Sequence, residues 1–316
     1  MNNLFQLLLG LLGLTGIFVG AELVIRGSKN IALRLGISEF FVGLTVLSIG
    51  TSLPEIFTHL QAGLKILNSP GDIQVLSGLA VGTNVGSNII QITFIVGIIG
   101  FFTTITTTKK FLQRDYLFML FSILLLFFFS LNQHISRLEA LFLVFLYLGY
   151  LSLLGYHEKI FSKLRKRDHI IKNSFLVIIG VALLAYCAGL ILDSATFFAE
   201  TYHIQSSLIG VLIIGVCTAM PELTTAIVGL VKKSPHLSLG TLVGSNITNP
   251  LLALGLGASI STYQIDRQIL FVDLPFWFLV SLLGLFFFWK GLRLKRWEAL
   301  VLVLVYILYV GLRLNV

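Results

Sequence analysis

The sequence predicts an all-α membrane protein, with ten transmembrane helices arranged as two inverted five-helix repeats. Three observations predict it. The chain of 316 residues is 56% hydrophobic and only 11% charged, with a mean hydropathy of +0.96, too apolar to supply the surface of a soluble domain of that size. About 20 apolar residues carry a helix across the hydrocarbon. Runs of that kind follow one another at 4–25, 38–66, 77–104, 115–131, 138–156, 174–198, 206–231, 239–261, 270–289 and 299–313. The two halves of the chain also superpose on each other at several motifs.

Helix 1 opens with MNNLFQLLLG, which has neither the basic start nor the cleavage pattern of a signal peptide, so it is expected to be retained. Glu22, near its end, faces Gly189 in the repeat alignment and fits the membrane interface better than an ion site; Asp193 has the same standing. Helix 2 carries GTSLPE (50–55) and helix 3 carries GTNVGSNIIQ (82–91). Helix 4 begins at Asp115 and helix 5 with RLEA (137–140), closing a first unit at 1–156. A basic loop, 157–173, leads to a second unit at 174–316.

The second unit repeats the first. A shift of 167 lays ISEFFVGLTVLSIGTSLPE (37–55) over IQSSLIGVLIIGVCTAMPE (204–222), aligning Thr51 with Thr218, Pro54 with Pro221 and Glu55 with Glu222. A shift of 158 lays GTNVGSNIIQ over GTLVGSNITN (240–249) and Asp115 over Asp273, and a shift of 159 lays SRLEALFLVFLYLGY (136–150) over KRWEALVLVLVYILY (295–309). Five is odd, so the second copy enters the membrane from the opposite side. That is the inverted-repeat plan of many secondary transporters, and alternating access is the mechanism it predicts.

The net charge of +8 follows from topology. With the N-terminus outside, 18 of the 22 basic residues fall on the inner side and only Lys65, Arg137, Arg267 and Arg313 on the outer. The bias predicts both termini outside and a cytoplasmic 157–173 loop in a plasma or inner membrane. Cations and the lipid bilayer are the expected partners. No nucleic-acid partner is expected from charges that set orientation, and no P-loop or other nucleotide motif occurs, which argues against an ATP-driven pump. Cys187 and Cys217 lie in apolar helices without metal-ligand spacing and are read as packing residues.

Glu55 and Glu222 are the acidic residues that sit deep in apolar helices and are related by the repeat. A charge at the bilayer centre costs about 2.5–3.5 kcal/mol even on insertion scales, so the pair implies a cation, a proton or a water-lined cavity. Two protonated carboxyls holding helices together is the plainer alternative, but it leaves the surrounding hydroxyls and prolines unexplained. Pro54 and Pro221 each remove a helical hydrogen bond and free the carbonyl four residues earlier, at Gly50 and Cys217. Thr51 and Thr218, four residues before their glutamates, add neutral oxygens, the ligand set of a hard cation. In the second motif pair, Ser87 with Gln91 and Ser245 with Asn249 stand at i,i+4, so each pair can line one helix face. Gly86 and Gly244 permit close helix approach, and Asn88 and Asn246 fit helix packing as well as ion contact. Asp115 and Asp273 stand at helix starts and are read as structural. His59, one turn after Glu55, suggests a proton relay, against which its mate Ala226 speaks.

On GTSLPE, CTAMPE, the two GSN segments and the RLEA and RWEA starts, the sequence resembles the cation/calcium exchanger superfamily, in its prokaryotic sodium/calcium exchanger-like branch. The resemblance implies a core of helices 2, 3, 7 and 8, with helices 1 and 6 sliding past it. It also implies Glu55 and Glu222 as central carboxylates, Thr51 and Thr218 as oxygen donors, Ser52, Ser87 and Ser245 as flanking ligands, and Gln91 and Asn249 at the central polar positions. Ala219 stands where the family commonly has serine, Gln91 where it has asparagine or aspartate, and Asn249 where several members have aspartate. The expected function is antiport of calcium against sodium or protons, without a cofactor. An antiporter for magnesium or manganese and an intramembrane acid/base enzyme are the alternatives.

Overall fold

The computed structural model describes residues 3–34, 48–157, 170–231 and 235–315. Helix α1 spans Asn3–Arg34. After a turn of helix at 48–51 comes α2 (Leu53–Asn68). Helix α3 (Ile73–Ile90) continues through a π-bulge at Gln91–Ile95 to Val96–Phe102. Strand β1 (Ile105–Thr106) leads into α4, built from Lys109–Phe111, a π-bulge at Leu112–Tyr116 and Leu117–Ser130. Then follow β2 (His134–Ile135), α5 (Arg137–His157) and α6 (Ile170–Tyr202). Helix α7 runs from Ser206 through a π-bulge at Gly210–Ile214 to Thr218, breaks at Ala219, and resumes as Met220–Val231. Helix α8 is Pro235–Thr248, a π-bulge at Asn249–Ala253 and Leu254–Ile260. The chain ends with β3 (Tyr263–Gln264), α9 (a π-bulge at Ile269–Asp273, then Leu274–Trp289), β4 (Arg293–Leu294) and α10 (Arg296–Asn315).

Among the described residues, 8 helices are long and apolar enough to cross a membrane. Helices α1 and α6 outrun their predicted spans. Their apolar runs pass directly into polar segments that remain helical, since nothing in NIALR or ETY forces a stop, and Arg26 rides on α1 beside Glu22, with which it forms an i,i+4 ion pair. Helix α4 starts six residues before Asp115, at Lys109, so Asp115 is not at a helix start; Thr108 caps that start by accepting from the Phe111 N–H.

Helices α1 and α6 pack antiparallel along a stripe of small residues. A Cβ on Gly13, Gly20 or Gly27 would stand 3.0, 3.0 or 2.7 Å from the carbonyl oxygens of Cys187, Gly180 and Asn173. Both series step by seven residues, which keeps one face of each helix against the other over four turns. Cys187 is buried in this seam, as a packing residue. The outward faces carry large apolar side chains such as Phe145, Ile171 and Leu308, which suit lipid.

Two short antiparallel strand pairs tie the halves together: β1 with β4 (Ile105 opposite Leu294) and β2 with β3 (Ile135 opposite Tyr263). Gln133 and Leu292, which precede β2 and β4, both take positive φ (61° and 52°). Their carbonyls accept from Ile265 N and Thr107 N, each in the opposite half, both at 2.8 Å.

Inside, α3 presses on the first half of α7. A Cβ on Gly86 would lie 2.2 Å from the Val211 carbonyl oxygen and 2.6 Å from its Cα, backbone that cannot yield cheaply. Gly86→Ala is expected to cost about 3 kcal/mol, read as a lower unfolding temperature in detergent than that of Gly149→Ala, where no atom lies within 4 Å.

Candidate functional site

Helices α2, α3, α7 and α8 bury a set of polar side chains that apolar packing cannot explain. Ser52, Glu55, Ser87, Gln91, Glu222, Ser245 and Asn249 are all fully buried, and Thr51 and Thr218 are 1% exposed. The two proline-glutamate motifs break their helices at equivalent places. Ser52 (φ −83°, ψ 3°) and Ala219 (φ −78°, ψ −2°) both bring ψ near zero two residues before Pro54 and Pro221, whose missing N–H interrupts the regular ladder. Thr51 and Glu55 therefore stand on opposite sides of a break. Two further irregularities begin at Gln91 and Asn249, where α3 and α8 each widen into a π-bulge; insertions of this kind concentrate at functional sites.

The contacts cross between halves. Thr51 Oγ1 lies 3.3 Å from Ser245 Oγ, which donates to Glu222 Oε1 at 3.2 Å. On the other side the Thr218 and Ser87 hydroxyls donate to the Gly215 and Asn84 carbonyls of their own helices, at 3.3 and 3.1 Å, and both Glu55 oxygens are left without a partner. Thr51 thus reaches the glutamate of the other repeat through Ser245, where the sequence suggested its own. Asn249 Nδ2 donates to Asn88 Oδ1 at 2.9 Å and to Ser87 Oγ at 3.3 Å. Asn246 Nδ2 donates to Gln91 Oε1 at 2.9 Å. The two asparagines of the GSN segments bridge the halves.

What remains is a set of buried oxygens without partners: both carboxylate oxygens of Glu55, Oε2 of Glu222, Oδ1 of Asn249 and Oγ of Ser52. Buried polar atoms are nearly always satisfied, so acceptors gathered in one place suit a hard cation, which binds to oxygen alone. Among the described residues no group of three or more histidines, cysteines, aspartates or glutamates gathers, so the negative charge here is that of two glutamates.

The protein-family model for the sodium/calcium exchanger protein matches residues 5–156 and 172–315. The chain belongs to that family. This exchanger is 30% identical to the sodium/calcium exchanger MaX1 of Methanosarcina acetivorans over 95% of both chains, and 29% identical to the inner membrane protein YrbG of Escherichia coli, covering 89% of this chain and 87% of that one. Its fold matches that of the sodium-calcium exchanger NCX_Mj soaked with Na+ and Sr2+ with a TM-score of 0.67 and 25% identity, covering 98% and 99% of the two chains. It is a multi-pass membrane transporter and not an enzyme.

Several residues around the exchanger's site were not singled out from sequence. Asn84 donates through Nδ2 to the Asn249 carbonyl at 2.7 Å and to His59 Nε2 at 3.2 Å. His59 therefore accepts at Nε2 and carries its hydrogen on Nδ1, 3.4 Å from the Tyr263 hydroxyl, which itself donates to the His59 carbonyl at 2.8 Å. That is a neutral imidazole anchored between Asn84 of α3 and Tyr263, which follows α8. Trp277 Nε1 donates to Asn246 Oδ1 at 3.0 Å. An asparagine in the apolar run of α3 that faces Leu242 in the repeat was the available signal for Asn84; Trp277 gave none.

Asp115 and Asp273 lie apart from this site, within the π-bulges of α4 and α9. They accept from the repeat-related Tyr150 (2.8 Å) and Tyr309 (2.7 Å), and Asp273 also pairs with Arg313 at 3.0 Å. Asp193 pairs with Lys65.

Proposed function

We propose that this exchanger is a secondary antiporter that moves calcium against sodium or protons by alternating access. The observation that carries the reading is the pair of buried glutamates, related by the repeat, with three of their four oxygens unpartnered. Glu55 and Glu222 supply the charge, and Thr51, Thr218, Ser52, Ser87, Ser245 and Asn249 the neutral oxygens. Two negative charges suit one divalent ion exchanged for protons or a few sodium ions. Ala219 in place of a hydroxyl, and neutral amides at Gln91 and Asn249, support a site with few sodium positions.

In this reading α2 and α8 join the other helices as ten spans in two inverted repeats, 1–156 and 174–316, with a cytoplasmic loop at 157–173 and both termini outside. The crossed contact of Thr51 with Ser245 and the strand pairs β1–β4 and β2–β3 support the inversion.

The test is calcium-45 uptake into proteoliposomes. Uptake under an imposed sodium gradient or pH gradient, whichever drives it, names the counter-ion. Unlabelled magnesium or manganese competes weakly. Absence of uptake under both gradients overturns the proposal.

A further inference from the structure

The two central amides occupy repeat-equivalent positions, 91 and 249, and each bonds the GSN asparagine of the other half, yet the bonds run in opposite directions. Asn249 gives its NH2 to Asn88 and keeps a buried oxygen unpartnered; Gln91 gives its oxygen to Asn246 and keeps a buried NH2 unpartnered.

The amide orientations follow from their neighbours. An indole N–H only donates and a backbone carbonyl only accepts. Trp277 Nε1 stands 3.0 Å from one end of the Asn246 amide, which must be its oxygen, and the Leu242 carbonyl stands 2.9 Å from the other, which must be its nitrogen. With its oxygen engaged by Trp277, Asn246 can only donate to Gln91, so Gln91 must turn Oε1 toward it and Nε2 away. On the other side, Asn84 plays the reverse part. Its nitrogen is held by the Asn249 carbonyl at 2.7 Å, so its oxygen accepts from Asn88 Nδ2 at 3.2 Å and leaves Asn88 Oδ1 to accept from Asn249. The repeat mate of Trp277 is Met119, which has no donor, and the mate of Asn84 is Leu242, which has no side-chain acceptor. These two differences set the polarity.

From this we infer that Gln91 is a specificity-determining residue that excludes a cation: the Trp277–Asn246–Gln91 chain holds its NH2 as the donor of an otherwise oxygen-lined site, while Asn249 Oδ1 is a ligand. Gln91 stands one turn after Ser87, whose hydroxyl accepts from Asn249, and its segment packs against the helix of Glu222. In the ion-free site the NH2 is a donor for a carboxylate, and in the loaded site it is a positive dipole where a second oxygen would stand. The inference rests on the cation-site reading above and assigns that site one sodium position fewer than two symmetric acceptors would give.

The test uses opposite signs. Gln91→Met removes the donor at similar length, and half-saturating sodium for stabilising the purified protein against heat should fall by about threefold; Asn249→Leu should raise it by about tenfold. Asn246→Asp, which accepts from both Trp277 and Gln91 and so turns Gln91 Oε1 into the site, should steepen the sodium dependence by one ion, whereas the charge-matched Asn88→Asp should not. If Gln91→Met weakens sodium as Asn249→Leu does, or leaves it unchanged, the inference is overturned. Because heat stabilisation by sodium ions alone needs no transport, these outcomes are separate from a failure of calcium uptake in the wild-type protein, which would count against the antiport reading.

Discussion

Glu222→Gln and Glu55→Gln each abolish gradient-driven calcium uptake, by at least about a hundredfold, because a divalent ion in a low-dielectric site is left half neutralised. The same substitutions leave the ion-free protein at least as resistant to heat as the wild type. Both glutamates are fully buried and carry unpartnered oxygens, so removing a charge relieves a desolvation cost while keeping the side-chain shape. Calcium then no longer stabilises. In the wild type, calcium at a hundred times its Kd adds about 2.7 kcal/mol, visible as a rise in unfolding temperature that both variants lack. Flux retained in both neutral variants would remove the carboxylates from the mechanism.

Asp273→Asn produces the largest expected loss of stability, about 3–5 kcal/mol, because it strands a buried cation. Arg313 is 1% exposed, and its partners are Asp273 at 3.0 Å, Ser207 at 3.1 Å and the Gln268 side-chain oxygen Oε1, with Tyr309 closing the network on Asp273 at 2.7 Å. Asp115→Asn costs about 1 kcal/mol, since Arg114 has a quarter of its side chain exposed and can turn to solvent. Unfolding followed by tryptophan fluorescence in detergent compares the two. Equal losses would mean that the ion pair with Arg313 adds nothing beyond the tyrosine bond the two aspartates share.

Much of the site was legible because membrane sequences make charge conspicuous. Glu55 and Glu222 stand out in apolar helices, and the repeat pairs them and the residues around them without reference to any structure. Spacing was less reliable where the backbone departs from a helix. Thr51 is four residues from Glu55, a helical neighbour by periodicity, yet the break at Ser52 lies between them and its hydroxyl meets Ser245 beside Glu222. Arg313 reads as an outer-face charge near the end of an apolar run, and only the approach of α9 makes it a buried ion pair. The stripe of Gly13, Gly20 and Gly27 was visible as letters but acquired meaning from the carbonyls of α6 against it.

The sequence by itself determined that this protein lives in a membrane, repeats its own motifs, and holds two carboxylates where lipid would exclude them; composition, hydropathy and internal repetition carry that information. Tertiary structure decided which hydroxyl Glu222 meets and which end of each central amide is left unpartnered. Gln91 and Asn249 are equivalent in the repeat and similar in chemistry. The direction of their hydrogen bonds depends on Trp277 and Asn84, groups on other helices that donate or accept, and no periodicity within α3 or α8 encodes what stands across from them.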